Sequence, residues 1–381
     1  MCEKMIKYIL KFIPLLISTI IAFVSLFSAN AERLQAEIKE QKTRIAALEQ
    51  AYNNGDIPPV DETAFFDGNL KESLLGGIKF NELIYIATHN SYQTEAVDEY
   101  KTIFKNLSEL TFGLISEKNG LFVSPTVTEQ LNNGIYSLEI DIETFDRNGD
   151  VSFTCMHSPT IDMTTSCYDF SLLLKEISMW SDNNPNHLPI TIIVEPKRLF
   201  IPLEDMEFFN FDYVLAFDSV LRAGLNSKLF TPADMLRDYE SFAAMRAADD
   251  WCKVNDMLGK VLVLLHDCNV TEKYIEIDPS LKSQAMFPML RKNDIDRDCA
   301  SFLLINKPKD AAKVSEEVIK NGKFIVRTRA DNFTSVSEEK RKFALSSGAQ
   351  IVSTDYPVKN DLQEGDYYLG FNDKKTIKSV K

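Results

Sequence analysis

The chain has 381 residues, 45% of them hydrophobic, and a formal net charge of −14. That length holds one large domain or two ordinary ones, with enough apolar material for a sizeable core. The acidic balance argues against nucleic acid as a partner and against electrostatic adsorption to acidic lipid, while leaving room for a divalent cation and a membrane-derived substrate.

In chain order, Lys4, Lys7 and Lys11 form a basic front, residues 12–27 are almost wholly apolar, and Ala29-Asn30-Ala31 has the small-x-small pattern of a signal-peptidase site. Residues 1–31 are therefore expected to be a cleaved signal peptide or a membrane anchor, since residues 12–31 are just long enough to span a bilayer. Either reading puts the body of the protein outside the cytoplasm, secreted or anchored. Over residues 32–52, Leu34, Ile38, Ile45, Leu48 and Tyr52 recur at a/d-like spacing, interrupted by Gln41. This predicts a short helical stalk capable of weak self-association. Residues 53–80, which open with Asn53-Asn54-Gly55-Asp56-Ile57-Pro58-Pro59, read as a linker, and residues 359–381 as a C-terminal tail.

Between them, residues 81–358 alternate short apolar runs with amphipathic ones. Strands are expected at 83–86, 137–142, 190–194, 261–265, 302–305, 324–326 and 351–353, and helices at 170–180, 213–221, 309–320 and 338–347. Doubly buried strands alternating with helices imply a parallel sheet, and their number suits a closed, irregular α/β barrel of the TIM type. In such barrels chemistry sits at the C-terminal strand ends. Asn148-Gly149 reads as a hairpin turn rather than part of a calcium loop. No Cys-x-x-Cys pair or Cys/His cluster suggests zinc; Cys155 and Cys167 are the preferred local disulfide. Asn106, Asn269 and Asn332 open Asn-x-Ser/Thr motifs.

The strand ends carry polar groups repeatedly. His89 and Asn90 follow the first strand; Glu139 and Asp141 lie two apart on the second, hence on one face; Cys155-Met156-His157 follows a hairpin arm. Glu195 ends the next strand with Lys197 on its side, Arg327, Arg329 and Asp331 end a late one, and Asp355 ends the last. Carboxylates with an amide oxygen and no soft ligand describe a hard-cation site, Ca²⁺ before Mg²⁺. Two histidines beside it suit general acid–base work on a phosphodiester. His187, in a proline-rich loop, reads as structural, and His266 as a strand-end residue near the mouth.

At these residues the chain resembles the secreted calcium-dependent phosphoinositide phospholipase C family, within the phospholipase C-like phosphodiesterase barrels. The resemblance rests on Thr88-His89-Asn90-Ser91-Tyr92, Leu138-Glu139-Ile140-Asp141, Met156-His157-Ser158-Pro159-Thr160-Ile161-Asp162, Ile192-Ile193-Val194-Glu195-Pro196-Lys197, Arg327-Thr328-Arg329-Ala330-Asp331 and Ser353-Thr354-Asp355-Tyr356-Pro357, in that order. It implies His89 as general base, His157 as general acid, and Asn90, Glu139, Asp141 and Glu195 as Ca²⁺ ligands. Lys197 and Arg329 would contact phosphate or inositol, and Asp355 would orient His89. The implied substrate is a phosphoinositide lipid at a membrane interface, cleaved to diacylglycerol and a cyclic or acyclic inositol phosphate. Tyr136 stands where that family commonly has Arg. The competing expectations are a glycerophosphodiesterase on the same barrel, disfavoured by His89-Asn90 in place of His-Arg, and a non-catalytic, membrane-tethered inositol-lipid binder.

Overall fold

The computed structural model describes residues 2–117, 121–197, 203–331, 337–357 and 368–380, with the side chains of 2–11 left aside. Twelve strands are present among them: β1 Phe66–Asp67, β2 Leu83–Thr88, β3 Ser137–Arg147, β4 Asp150–Cys155, β5 Ile190–Pro196, β6 Met206–Glu207, β7 Val261–Leu265, β8 Met286–Leu290, β9 Phe302–Leu304, β10 Ile325–Arg329, β11 Ile351–Thr354 and β12 Ile377–Ser379. Eight of these form one parallel path, β2-β11-β10-β9-β8-β7-β5-β3, curled so that its two ends meet. The strand interiors are fully buried, as in Val261-Leu262-Val263-Leu264-Leu265. This is the α/β barrel expected from the alternation of apolar runs and helices.

The seam between β2 and β3 is closed in two ways. At its lower, N-terminal end, β12 pairs antiparallel with β2, Ile377 opposite Tyr85, and β1 pairs with β12. Thr376 Oγ1 donates to the Gly134 carbonyl at 2.8 Å. Gly134 has φ +72°, and a Cβ there would come within 2.7 Å of Thr376 Oγ1, so this junction needs glycine. At the upper end Ser91 N donates to Glu139 O (2.8 Å) and Glu139 N donates to Ser91 Oγ (2.9 Å). The residues read as a linker and a tail thus supply two strands of the sheet. Their boundaries are corrected accordingly, with 358–367 lying outside the described residues.

Two further differences have physical causes. β8 escaped prediction because Pro288 sits inside it, opposite Leu265, and proline ordinarily argues against an internal strand. The expected helix at 309–320 is a helix at Pro308–Val314 that widens to π geometry over Ser315–Asn321. The Asn148-Gly149 hairpin is as read: both residues have positive φ, and Arg147 pairs with Asp150 across them. Cys155 and Cys167 are buried free thiols in mutual contact, which corrects the expected bridge. Asn106 is buried, Asn269 donates to Phe209 O at 2.9 Å, and Asn332 lies outside the described residues.

The N-terminal segment and the stalk are one unbroken helix, α1, Cys2–Asn54. By length and composition its first half is apolar enough to cross a membrane. One face there packs on helix α2, Asp98–Leu110, through Ala22, Leu26, Tyr100 and Ile103. Ile17, Ile21 and Val24 on the other face are exposed. The second half lies against the barrel. Leu34 packs with Phe145, Met156 and Met163, and Ile45 is also buried. Gln41, the residue that interrupts the stripe, is buried because its amide pairs with both backbone groups of Asp169, at 3.0 and 2.9 Å. The stripe is used within the chain, against backbone as well as apolar side chains.

Candidate active site

β2 delivers His89 to the upper rim of the barrel, where its N–H continues the ladder to Thr354 O at 2.9 Å. The ring lies 6.0 Å from that of Phe122. Nδ1 is 2.7 Å from Asp355 Oδ1, at the end of β11. Asp355 is itself fixed: its N–H donates to Asp331 Oδ1 at 2.9 Å, and Arg329 approaches at 3.4 Å. An Nδ1–H donated to this carboxylate leaves Nε2 as the acceptor, 3.8 Å from Glu139 Oε1. Burial holds His89 well below the ordinary histidine range, against the pull of Glu139. Burial also raises Asp355 to about 7, with Arg329 opposing.

Asn90 follows in left-handed backbone, φ +46°, which asparagine tolerates better than most residues. Its Oδ1 is buried and without a hydrogen-bond donor. On β3, Glu139 and Asp141 share the inner face. Glu139 Oε2 is ion-paired with the fully buried Arg327 of β10, which also reaches Asn306 and Ser353 Oγ. Burial pushes Glu139 up, but Arg327 and then His89 outweigh it and leave the carboxylate below its usual range. Asp141 Oδ2 accepts from Tyr92 (2.6 Å) and Lys197 Nζ (2.9 Å), while Asp141 Oδ1 is buried without a donor. Burial raises Asp141 to about 7, Lys197 opposing and Glu195 adding to it. Glu195, 3.3 Å from Lys197, is held at about 2, because Lys197 and His266 overcome the cost of burial.

His157 sits on a tight turn closed by a double backbone bond between Ser158 and Asp162, at 3.0 and 2.9 Å. Its Nδ1 is 4.0 Å from Asp162 Oδ2 and its side chain is 45% exposed, open toward the mouth. Although that face is open, displacement of water by the surrounding protein lowers its pKa, Lys197 adds to this, and Asp162 opposes. Glu195 and Asp355 act on the same ring. The structure therefore brings all nine sequence-predicted residues, His89, Asn90, Glu139, Asp141, His157, Glu195, Lys197, Arg329 and Asp355, to one barrel mouth.

Sequence reasoning placed Arg327 and His266 at strand ends near the mouth but assigned them no role in the site, and Arg327's partner Glu139 was not foreseen. Tyr92 and Asp162 lay inside the quoted motifs, and His266 acts on Glu139 and Glu195 by charge. Tyr136, in place of the family arginine, packs its ring on Trp180 (5.6 Å) and His187 (6.4 Å) at the lower end of β3. His187 is structural as read, bonded to Ser181 Oγ at 2.8 Å and Leu188 O at 2.7 Å.

Among the described residues no group of three or more His, Cys, Asp and Glu side chains is arranged to hold a metal ion as it stands. Lys197 and Arg327 supply the positive charge the acids require. The donor set nevertheless fits a hard cation. Two buried oxygens, Asn90 Oδ1 and Asp141 Oδ1, lack donors, and the Glu139 and Asp141 carboxylates both feel the charge of Glu195.

Residues 150–380 match the family model for calcium-dependent phosphoinositide phospholipase C. The chain belongs to this family. Its members are phosphoric diester hydrolases, and calcium is the family's ion. The match contains His157, Glu195, Lys197, Arg329 and Asp355; His89 and Asn90, just after β2, and Glu139 and Asp141, on β3, precede it. In fold, this phospholipase C resembles the calcium-dependent phosphoinositol-specific enzyme of Pseudomonas sp. in its myoinositol complex. There the TM-score is 0.53 at 19% identity, over 77% of this chain and 93% of that one. It also resembles the Ca²⁺-dependent enzyme of Streptomyces antibioticus, with a TM-score of 0.51 at 16% identity over 73% and 94%. No curated protein matches the chain.

Proposed function

We propose that this phospholipase C cleaves phosphatidylinositol to diacylglycerol and an inositol phosphate, with His89 as general base and His157 as general acid. The supporting observation is the His89–Asp355 pair, 2.7 Å apart, whose second imidazole nitrogen lies beside Glu139. Asn90, Glu139, Asp141 and Glu195 would hold Ca²⁺. When bound, the ion supplies positive charge for the phosphate in the transition state and acidifies the attacking hydroxyl.

The chain's own residues account for the proton transfers. His89, kept neutral by burial, takes the proton of the inositol 2-hydroxyl at Nε2, and Asp355 stabilises the imidazolium that results. The hydroxyl oxygen bonds to phosphorus as the bond to the diacylglycerol oxygen breaks. His157 protonates that leaving oxygen. Its pKa is lowered in the free protein, so the arriving phosphodiester anion, by offsetting Lys197, favours the protonated form. Each acid–base group is worth roughly 10²–10⁴ in rate. The first product is the 1,2-cyclic phosphate, and water activated by His157 opens it in a reverse pass. Lys197 and Arg329 line the mouth as phosphate or inositol contacts. The apolar half of α1 would keep the enzyme at a membrane outside the cytoplasm.

The test is product analysis on phosphatidylinositol micelles with calcium or with chelator, using glycerophosphoinositol as the competing substrate. Calcium-dependent release of diacylglycerol is expected. Full activity in chelator would refute the metal assignment, and undiminished turnover by His89→Ala would refute the base.

A further inference from the structure

The mechanism leaves unused a row of buried polar side chains on α1. Asn30, Glu37 and Gln41 are each 1–2% exposed. All three bond to the segment that carries His157 or to its immediate support. Asn30 Nδ2 donates to Thr160 O and Ile161 O, both at 3.0 Å. Thr160 has φ +66°, a left-handed conformation that a β-branched residue adopts only under constraint, at the tip of the turn following His157. Glu37 accepts from Thr165 N at 2.7 Å and from the Thr94 hydroxyl. The neighbours of those two residues, Thr164 and Gln93, hold Asp162, at 2.8 and 3.2 Å. Asp162 in turn faces His157. Gln41 pins Asp169 at the end of the loop, and Arg44 donates to Ser166 O at 2.6 Å.

We propose that residues 30–44 of α1 are a positioning element for His157, holding the turn at Thr160 and, through Gln93 and Thr164, the carboxylate of Asp162. Glu37 and Asn30 are its two centres. This rests on the reading of His157 as the proton donor to the leaving group. Burying a carboxylate and two amides at this junction is costly unless they are bonded. Apart from Arg33, which pairs with Glu37 along the helix at 2.9 Å, the partners of all three lie on the acid loop or its support, and only Asn30 Oδ1 is left without a donor. An apolar face would dock the helix equally well but would not set the backbone of a strained turn.

The test uses the full chain with Asn30→Ala and Glu37→Gln, and two substrates that differ in leaving group. From phosphatidylinositol the diacylglycerol oxygen leaves as an alkoxide and needs a proton; from the 4-nitrophenyl ester of inositol 1-phosphate the nitrophenolate leaves without one. Each variant is expected to lower kcat on phosphatidylinositol about 10- to 100-fold with little change in KM, the scale of a misplaced catalytic group. Turnover of the nitrophenyl ester should stay within about twofold, since that reaction has no use for general acid catalysis. Equal losses on both substrates, or no loss on either, would overturn the proposal. His157→Ala runs in parallel: if it discriminates between the leaving groups and the α1 variants do not, positioning alone fails. If His157→Ala shows no discrimination, the assignment of the acid fails, and positioning falls with it. Should Glu37→Gln not fold, Asn30→Ala, which removes only two bonds to the turn, decides the matter by itself.

Discussion

Arg327→Met tests the electrostatic core of the site. Arg327 is 1% exposed, and its guanidinium is bonded to Glu139, Asn306 and Ser353. Methionine fills similar space but removes the one cation bonded to Glu139, leaving the buried carboxylate with His89 at 3.8 Å and the weaker, more distant pull of His266 and Lys197. Removing one partner of a buried pair costs about 3–5 kcal/mol. The loss should depend on pH. In the native protein Arg327 helps hold Glu139 below its usual range; without it burial raises the folded-state pKa above the unfolded one. The folded variant then binds a proton that the unfolded chain does not. Its penalty is therefore full above that raised pKa and shrinks as pH falls through it. Urea unfolding of calcium-free protein at pH 8 and pH 5.5 measures both values. A second change, Glu139→Gln, should recover most of the stability at pH 8. A loss under about 1 kcal/mol, or the same loss at both pH values with no recovery in the double variant, would refute the reasoning.

Asp355→Asn should keep the fold yet lower kcat by roughly 10²–10⁴, because an amide holds His89 less firmly in the required tautomer and does not stabilise its cation; steady-state turnover with circular dichroism checks this. Asp141→Asn and Asn90→Ala should each raise the calcium concentration giving half-maximal activity: the first removes a carboxylate charge and sets an amide NH2 where Oδ1 now lacks a donor, and the second removes the donor-free Oδ1 of Asn90. Glu62 has its pKa raised from 4.5 to about 7 by burial at the lower end of the barrel, where it accepts from Leu188 N at 2.8 Å. The folded state binds that proton more tightly than the unfolded one, so stability should fall as pH rises from about 4.5 to about 7. Partial exposure limits the effect to roughly 1–3 kcal/mol, and Glu62→Gln should flatten the pH profile in denaturant titrations.

The barrel was legible because its strands are doubly buried and read as plain apolar runs; β7 lies at the predicted residues. The strand-end residues of the mouth were legible for the same reason, as charged groups that interrupt such runs. What could not be read was the closure of the seam. β1 has two residues and β12 three, too short for any periodicity, and their pairing joins residues some three hundred positions apart. Arg327 was legible at its strand end, but its burial was hidden, because a buried arginine and a solvated one look alike in sequence and only the distant Glu139 distinguishes them. Gln41 misled differently: as a flaw in a heptad it suggests a weak coiled coil, whereas its partner is the backbone of Asp169.

Because α1 runs without a break, nothing flexible lies between its greasy half and the acid loop. At about 1.5 Å and 100° per residue, both the height and the azimuth of the mouth are fixed relative to any surface gripped by residues 12–27. Reach cannot be tuned by slack, as it can on a Gly/Ser tether. Inserting one residue near position 28 would turn the apolar half by roughly a quarter revolution relative to the catalytic opening and carry Ala22 and Leu26 off their seat on α2, whereas inserting seven, about two turns, would shift it by roughly 10 Å along the axis and leave its heading nearly unchanged.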